Sequence, residues 1–303
     1  MKLVNQSFKI LEQKDFSLIG IKKFIERCGR VCYKSEDRIT DDSYEKFVNM
    51  LVKRDHARPL EFGTVHLQMY ISDFHKLRDT LCINNMWNDQ WIKYHYVGNL
   101  TYVTTNYRYY LAIIKVFPSA EKDFVPQDDE LYPKRYTVHF ITSRGIMDEF
   151  RTHVGLSHLA ESTRYCNYSK DKFNNEVTFV IPSWMNFPEI SIDLGNYDKT
   201  SVRSKDGNVH IIDTKPPYVE GDFIRSLCEA EYNYLSIVRN GWTPQQAREV
   251  LPLAVKSELI SCGFEDAWKN FFYRRCAKDA HPMAQEIAKS MHKEFIERGF
   301  IDK

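Results

Sequence analysis

Amphipathic helix patterns interleaved with short strand patterns are the feature that most constrains the fold of this chain. Apolar residues recur at helical spacing in Asp15–Tyr33, Asp42–Asp55, Asp222–Asn240, Glu265–Cys276 and His281–Arg298. Strand-like patterns occupy Thr64–Ser72, Arg135–Thr142, Glu176–Ile181 and Leu253–Phe264. The chain has no internal repeat and no linker that divides it, so we expect one α+β domain over residues 1–303. Low-periodicity insertions are expected near 73–98 and 183–220, the second with one hairpin at the KDGN sequence.

Helix ends carry their own signals. Asp42 followed by Glu45 predicts a capping box. Thr105 or Asn106 is the predicted N-cap of a further helix that begins in YRYYLAII. Thr243 and Pro244 predict an N-cap and first-turn proline before the short helix QQAREVL.

Composition excludes several classes of protein. Net charge is +1, so a broad attraction to nucleic acid or to a membrane surface is not predicted. No apolar run is long enough for a membrane span, and the first residues lack a signal-peptide core. The seven cysteines form no CxxC pair, so neither a metal site nor a disulfide framework is predicted. Reduced thiols and a cytoplasmic location are expected.

Common catalytic motifs are missing from the sequence. No Walker loop and no GxGxxG occurs, which argues against a P-loop or Rossmann nucleotide site. No GxSxG elbow occurs, which argues against a serine hydrolase.

A polar quartet follows the predicted helix that begins at Ser143. It consists of Glu161, Ser162, Thr163 and Arg164. A carboxylate, two hydroxyls and a guanidinium in succession can bind a polar, anionic small molecule. The alternative is a helix followed by an ordinary polar surface loop.

Arginines in loops and at helix ends form a second candidate set. They are Arg151, Arg164, Arg248, Arg274 and Arg275. Arginine keeps its charge and forms bidentate bonds to phosphate, carbonyl and imide groups. For Arg248 the alternative is a salt bridge to Glu249 or Glu258. His56, Arg58 and Glu61 lie on a loop that leads into a strand, where either a binding loop or a solvated turn is expected.

Four motifs together resemble the flavin-dependent thymidylate synthases, the ThyX family. They are STRYCNYSKDKF, VTFVIP, GWTPQQAREVLP and WKNFFYRRCAKDAHPMAQE. Their order and spacing agree with the family from about Asp41 to Phe300, and the C-terminal half is most similar to a branch found in Bacteroides-type bacteria and their phages.

The resemblance implies a thymidylate synthase-complementing fold with an α/β core and a mostly antiparallel sheet flanked by helices. It implies FAD as cofactor, dUMP as substrate, 5,10-methylenetetrahydrofolate as carbon donor and NADPH as reductant, giving dTMP. It also implies a homotetramer with active sites at subunit interfaces and no cysteine nucleophile.

Individual residues can be carried over by position. For dUMP binding the resemblance implies Glu149, Thr152, Glu161, Ser162, Thr163, Arg164, Arg248 and Arg275. For FAD it implies His56, Arg58, Arg151, His153 and Asn270. Arg275 is the implied catalytic residue, because a fixed cation at the uracil ring favours an ionised imide and makes C5 more nucleophilic.

The family's Arg-His-Arg signature is altered in this chain. Counted back from Ser162, its three places hold Thr152, His153 and Val154, and Arg151 lies one position early. Three hypotheses follow: a thymidylate synthase with a rewired flavin site, a nucleotide hydroxymethylase on the same scaffold, or a non-catalytic nucleotide-binding homologue.

Overall fold

The computed structural model describes residues 1–162, 166–170, 173–185, 190–193, 200–204, 209–212 and 219–302. For 190–193, 200–204, 209–212 and 219–221 it describes the backbone alone. The predicted ligand residues Thr163 and Arg164 lie outside the described residues.

Helices and strands alternate along most of the chain. The α-helices are α1 (Leu18–Tyr33), α2 (Ser43–Lys53), α3 (Ile71–Ile83), α4 (Tyr107–Val116), α5 (Arg144–Phe150), α6 (Val219–Arg239), α7 (Pro244–Ala247), α8 (Glu265–Arg275) and α9 (Pro282–Glu297). The first strands are β1 (Lys2–Val4), β2 (Ser7–Leu11), β3 (Thr64–Tyr70), β4 (Ile92–Val97), β5 (Leu100–Asn106), β6 (Phe124–Val125) and β7 (Arg135–Ser143). The later strands are β8 (Ser157–Ala160), β9 (Thr178–Val180), β10 (Ile190–Asp193), β11 (Thr200–Ser204), β12 (Val209–Ile212) and β13 (Lys256–Phe264).

The described strands form three sheets. Their strand orders are β12-β11-β10-β1-β9, β2-β7-β13-β8 and β4-β5-β3-β6. Pairing within them is antiparallel except between β1 and β9, which are parallel. The predicted class, an α+β fold with a mostly antiparallel sheet and flanking helices, is confirmed.

The β2-β7-β13-β8 sheet positions the candidate site. β7 and β13 pair along nine residues, from Lys256 opposite Ser143 to Phe264 opposite Arg135. Helices α5, α8 and α9 supply apolar side chains against this sheet, and Trp268 and Phe140 are fully buried between them. A buried aromatic layer of this kind excludes water and holds the helix ends rigidly over the strands.

The segment 73–98 differs from the expected irregular insertion. It contains most of α3 and all of β4. Phe74, Leu77 and Leu81 are completely buried, and they lie on one face of α3 against the β4-β5-β3-β6 sheet. Phe74, Leu77 and Leu81 follow the i, i+3, i+7 spacing of an amphipathic helix, so the sequence carried a helical signal that the prediction overlooked.

The segment 183–220 contains more strand than expected. β11 and β12 form an antiparallel pair on either side of the KDGN sequence, which confirms the predicted hairpin. β10 adds a third strand, which pairs with β1 near the start of the sequence. Such long-range pairing has no local sequence signal.

Predicted helix caps had mixed outcomes. Asn106 Oδ1 accepts a hydrogen bond from the Tyr109 amide at 2.9 Å, as expected of an N-cap. Thr243 and Gln246 form a capping box at α7. The capping box at Asp42 is wrong, because no side-chain cap bond forms there and the Asp42 ψ of -2° departs from the usual N-cap conformation.

Candidate functional site

A strand–helix–strand segment, residues 135–160, builds one wall of the candidate site. The Ser143 hydroxyl accepts a hydrogen bond from the Ile146 amide and starts α5 directly after β7. After α5 the chain turns through Gly155, at φ +92°, and returns to the sheet as β8. β8 was not predicted, because its four residues are too few to show a period. It pairs with β13 and delivers Glu161 and Ser162 to the end of the sheet.

A cationic cavity of about 480 Å³ lies at this end of the sheet. It is lined by Arg58, Arg144, Arg151, His158, Ala160, Glu161, Ser162 and Arg248. Five of these residues come from the sequence-predicted sites, although they are spread from residue 58 to residue 248. Four guanidinium groups around one cavity favour an anionic ligand, and phosphate in particular.

Two of the arginines are held in place by a shared carboxylate. Arg144 Nε lies 3.2 Å from Asp148 Oδ2, and an Arg151 terminal nitrogen (Nη1) lies 3.1 Å from Asp148 Oδ1. All three side chains are partly or largely exposed. Asp148 neutralises only one of the two positive charges, so the pair keeps a net charge of +1 toward the cavity.

Arg248 lies in a short 3-10 turn after α7, and its Nε lies 3.4 Å from Glu249 Oε1. The predicted short helix is therefore present, with Arg248 in its 3-10 end, and the ion-pair alternative with Glu249 is present as well. About a third of its side chain is exposed, beside the cavity.

Glu161 is buried beneath the same cavity. Its Oε2 lies 3.1 Å from Lys256 Nζ, and the Cys166 thiol donates to Oε1 at 3.2 Å. The Glu161 amide donates to the Glu258 carbonyl at 2.7 Å. The carboxylate is thus already bonded to protein groups, which makes it a support of the turn that carries Ser162.

The charges around Lys256 form a buried cluster. Lys256 and Lys34 both contact Glu258, and His139 Nε2 lies 2.8 Å from Glu258 Oε2. Burial alone would lower the pKa of Lys256, but the carboxylates of Glu161 and Glu258 outweigh it and raise the pKa above its usual range. For Glu258, burial acts to raise the pKa, while His139 and the two lysines lower it well below the usual range.

A second cavity, also of about 480 Å³, adjoins the first. The two share Arg58, His158 and Ala160. The second is also lined by His56 and Arg108, and by Tyr33, whose hydroxyl lies 3.2 Å from His56 Nδ1. Arg108 forms an ion pair with Glu61 at 2.6 Å. The predicted loop residues His56 and Arg58 therefore lie beside a continuous pair of cavities.

Arg275 lies apart from both cavities, in contact with the end of α5. Its Nε donates to His153 Nε2 at 2.7 Å, and its terminal nitrogens donate to the Glu149 carboxylate at 2.8 Å and carbonyl at 2.7 Å. A longer contact of 3.4 Å reaches Thr152 Oγ1. Three residues that the sequence assigned to ligands, Glu149, Thr152 and His153, are therefore bonded to Arg275.

Two histidines near α5 are neutral. Burial, reinforced by Arg275, lowers the pKa of His153 to about 4. Burial also lowers the pKa of His158 to about 4, against a raising contribution from its hydrogen bond to the His153 carbonyl. His158 lines both cavities as a neutral ring, which sequence reasoning did not single out.

Other expectations concern membranes and metals. In the part of the chain that the structure describes, no helix has the length and hydropathy needed to cross a bilayer. Within the same residues, no group of three or more His, Cys, Asp and Glu side chains is arranged around a common metal position.

Sequence comparison assigns this chain to a known family. The family model described as thymidylate synthase complementing protein (Thy1) matches residues 134–298, more than half of the chain. The chain belongs to the Thy1 family. The matched region contains β7, α5, β8, β13 and α8, which carry most of the cationic cavity and Arg275.

Solved structures with a similar chain course include a UMP/dUMP methylase, PolB from Streptomyces cacaoi. Its complex with 5-Br UMP gives a TM-score of 0.42 at 12% identity, covering 98% of this chain and 92% of that chain. Its complex with 5-Br dUMP gives 0.41 at 14% identity, covering 98% and 93%. No curated protein matches the sequence.

In this Thy1 protein, the predicted site residues that line cavities are divided among three of them. Arg58, Arg151, Glu161, Ser162 and Arg248 surround the cationic cavity, and His56 lines the adjoining one. Asn270 lines a different cavity of about 230 Å³, together with Lys93 and Phe264. A larger cavity of about 610 Å³ between β2 and the 128–137 segment contains none of the predicted residues.

Sequence reasoning missed Arg144, Lys256 and Glu258. Arg144 follows the predicted strand directly and begins α5, so its place at a strand end was the available signal. Lys256 and Glu258 alternate on a strand that is otherwise buried, and charged residues at such positions need partners. Their partners are distant in sequence, which is why no local pattern revealed them.

Proposed function

We propose that this chain is a flavin-dependent thymidylate synthase that converts dUMP to dTMP, with 5,10-methylenetetrahydrofolate as carbon donor and NADPH as reductant. Membership of the Thy1 family supports the reaction class. The observation that carries the proposal is the cavity in which Arg58, Arg144, Arg151 and Arg248 surround Ser162. A nucleoside monophosphate carries the anionic group that such a cavity fits.

In this proposal dUMP binds with its phosphate among the arginines. Ser162 and Arg248 contact the nucleotide directly, as the resemblance implies, and Thr163 and Arg164, which the resemblance also assigns to dUMP, complete the site. Glu161 acts through its buried bonds to Lys256 and Cys166, which fix the turn. Glu149 and Thr152, which the resemblance also assigns to dUMP, are bonded to Arg275 and are proposed to act on the nucleotide together with it.

The residues present fit a flavin beside this site. The adjoining cavity is lined by Arg58, whose positive charge suits a pyrophosphate. It is also lined by His56 and Tyr33, whose rings suit contact with a planar ring. Arg151, one place before the altered signature, supplies a further cation from the cationic cavity. Bound FAD would supply the reducing equivalents that come from NADPH. His56, Arg58 and Arg151 would hold it.

Arg275 is proposed to polarise the pyrimidine. Within one chain Arg275 and Asn270 lie away from the cationic cavity. We therefore propose that the active unit is the homotetramer implied by the resemblance, in which a second subunit brings Arg275 and Asn270 to the cavity.

No thiolate is available near the cavities. Burial raises the pKa of Cys32 to about 12, and burial together with Glu161 raises the pKa of Cys166 above its usual range. Both thiols stay protonated at neutral pH, and a protonated thiol is a poor nucleophile. This supports a reaction without a cysteine nucleophile. All seven cysteines are free, which is consistent with the proposed cytoplasmic location.

The test is purification followed by product analysis. We expect a yellow protein after FAD loading, and dTMP by mass spectrometry from dUMP, methylenetetrahydrofolate and NADPH. Arg275→Ala is expected to abolish turnover and to leave the oligomeric state unchanged by light scattering. A colourless protein that makes no dTMP overturns the proposal.

Two other outcomes identify the alternatives. A hydroxymethylated nucleotide as product would indicate a hydroxymethylase, for which the altered Thr152-His153-Val154 positions are the motivation. Tight dUMP binding without flavin or turnover would indicate a non-catalytic homologue.

A further inference from the structure

We propose that His153 is a positioning residue that orients the guanidinium of Arg275, and that it does not bind the flavin. This inference rests on the proposed role of Arg275 at the pyrimidine. It concerns the one position of the Arg-His-Arg signature that this chain retains.

The geometry of the contact fixes the protonation of both groups. Arg275 Nε lies 2.7 Å from His153 Nε2. A guanidinium has no lone pair to offer, so His153 Nε2 must be the acceptor and the ring must be neutral, with its proton on Nδ1. A charged imidazolium would place two donors face to face.

The surroundings of His153 leave little room for a cofactor. The residue is 5% exposed, and its ring lies 4.8 Å from the ring of Phe271, centroid to centroid. It lines none of the four cavities described above. Its Nδ1 is buried without a hydrogen-bond partner among the described residues. Because the proton on Nδ1 is unsatisfied, the ring orientation is determined by the bond that Nε2 makes to Arg275.

The other hydrogen bonds of Arg275 show that its guanidinium is held in one orientation. Glu149 engages one terminal nitrogen of Arg275 through its carboxylate and the other through its carbonyl. Together with His153 these bonds use Nε and both terminal nitrogens, which fixes the plane of the guanidinium. The Arg275 side chain is 17% exposed, so part of it remains accessible to solvent.

The altered signature fits this arrangement. Thr152 is a hydroxyl acceptor for Arg275 at 3.4 Å, where the family places a cation. An arginine at position 152 would put a second positive charge beside Arg275. The segment from Glu149 to His153 thus holds the Arg275 side chain through hydrogen bonds. Position 152, which departs from the family pattern, has a function in this arrangement.

The test compares two substitutions of His153. His153→Gln keeps an acceptor, because the amide oxygen can receive the Arg275 Nε proton. His153→Phe keeps a planar ring and removes the acceptor. We expect kcat to fall about 10- to 100-fold in His153→Phe and to recover in large part in His153→Gln. FAD affinity, measured by fluorescence quenching, is expected to remain unchanged in both.

Two results would overturn the inference. One is a loss of FAD affinity in His153→Phe that is as large as the loss of kcat. The other is an equal defect in both variants, since a role through the acceptor must distinguish them.

A structural measurement keeps the inference testable without turnover. In protein labelled with ¹⁵N at histidine, His153 is expected to show an unprotonated Nε2 and a protonated Nδ1 at neutral pH. Arg275→Lys is expected to shift the Nε2 resonance, and the exposed Lys269→Arg is the control. The opposite tautomer refutes the contact. The expected tautomer in a protein that makes no dTMP would mean that the proposed function has failed while the contact stands.

Discussion

Lys256 Nζ lies 3.1 Å from Glu161 Oε2, in an ion pair buried beneath the turn that carries Ser162. Glu161 is 1% exposed at its side chain, and Lys256 is 17% exposed. Glu161 directly follows β8, and Lys256 is the first residue of β13. The ion pair therefore ties the residue next to Ser162, a proposed dUMP contact, to the sheet.

Lys256→Met should destabilise the protein by about 3–5 kcal/mol, because it removes the cation nearest to the buried Glu161 carboxylate and leaves Lys34, at 3.8 Å, as the remaining one. Urea unfolding at neutral pH measures the loss. Lys269→Met is the matched control, because Lys269 forms an exposed i,i+4 pair with Glu265 and its loss should leave the unfolding midpoint nearly unchanged. Equal losses in the two variants would contradict a special role for the buried pair.

Acidification should destabilise the fold between about pH 6.5 and pH 4. Burial lowers the pKa of His66, His153 and His158 to about 4, so the native state keeps them neutral. The unfolded state binds protons first as pH falls, and this favours unfolding. Each histidine should contribute about 2 kcal/mol of destabilisation between pH 7.5 and pH 5.

Urea unfolding at these two pH values tests the effect. His66→Asn should reduce the pH dependence. His95→Asn, at an exposed position of β4, should leave it unchanged. A stability that does not change over this range would show that the three rings are not held neutral.

Arg144→Ala and Arg248→Ala should each weaken dUMP binding by about 1.5–3 kcal/mol, or about ten- to a hundredfold in Kd. The reason is the loss of a charge-assisted bond to the phosphate. Calorimetry on the flavin-loaded protein measures Kd. Arg225→Ala is the control, because Arg225 lies on α6 outside the cavity. A Kd in Arg144→Ala within about twofold of the wild-type value would exclude Arg144 from the phosphate site.

Gly155→Ala should destabilise the protein by about 2–4 kcal/mol. Gly155 has φ +92°, and an added Cβ would lie 3.1 Å from the Ala267 Cβ, so backbone strain and crowding combine. Gly98→Ala separates the two effects. Gly98 also has a positive φ of +56°, but a Cβ there meets nothing within 4 Å, so about 1–2 kcal/mol is expected. Thermal unfolding compares the variants, and equal losses would show that crowding at Gly155 contributes nothing.

Much of the fold was predictable because its elements carry local patterns. The helix α1 was predicted from buried positions such as Ile21, Phe24 and Ile25, and the structure buries all three. Helix α3 was missed although Phe74, Leu77 and Leu81 have helical spacing, because the Trp- and Asn-rich residues that follow made the whole segment look irregular. Strands β8 and β10 were missed because they are short and pair with partners far away in sequence.

The candidate site was predictable only in part. The motifs identified the family and pointed to Arg248, Ser162 and Glu161, which do surround one cavity. They did not reveal Arg144. They also predicted a flavin contact for His153, and they gave no sign that its Nε2 accepts a hydrogen bond from Arg275. A motif fixes which residue occupies a position, whereas the packing of α5 against α8 fixes where its side chain points.

By itself, the sequence determined the order of most helices and strands, the family and the residue types available to bind an anionic nucleotide. These properties follow from local periodicity and from residue identity. The tertiary structure decided which of those residues meet. Residues 58, 151, 162 and 248 converge on one cavity, while Glu149 and His153 turn toward Arg275. The reason is physical: burial of the aromatic layer between α5, α8 and β7 sets the rotation of each helix, and that rotation selects the side chains that face the cavity.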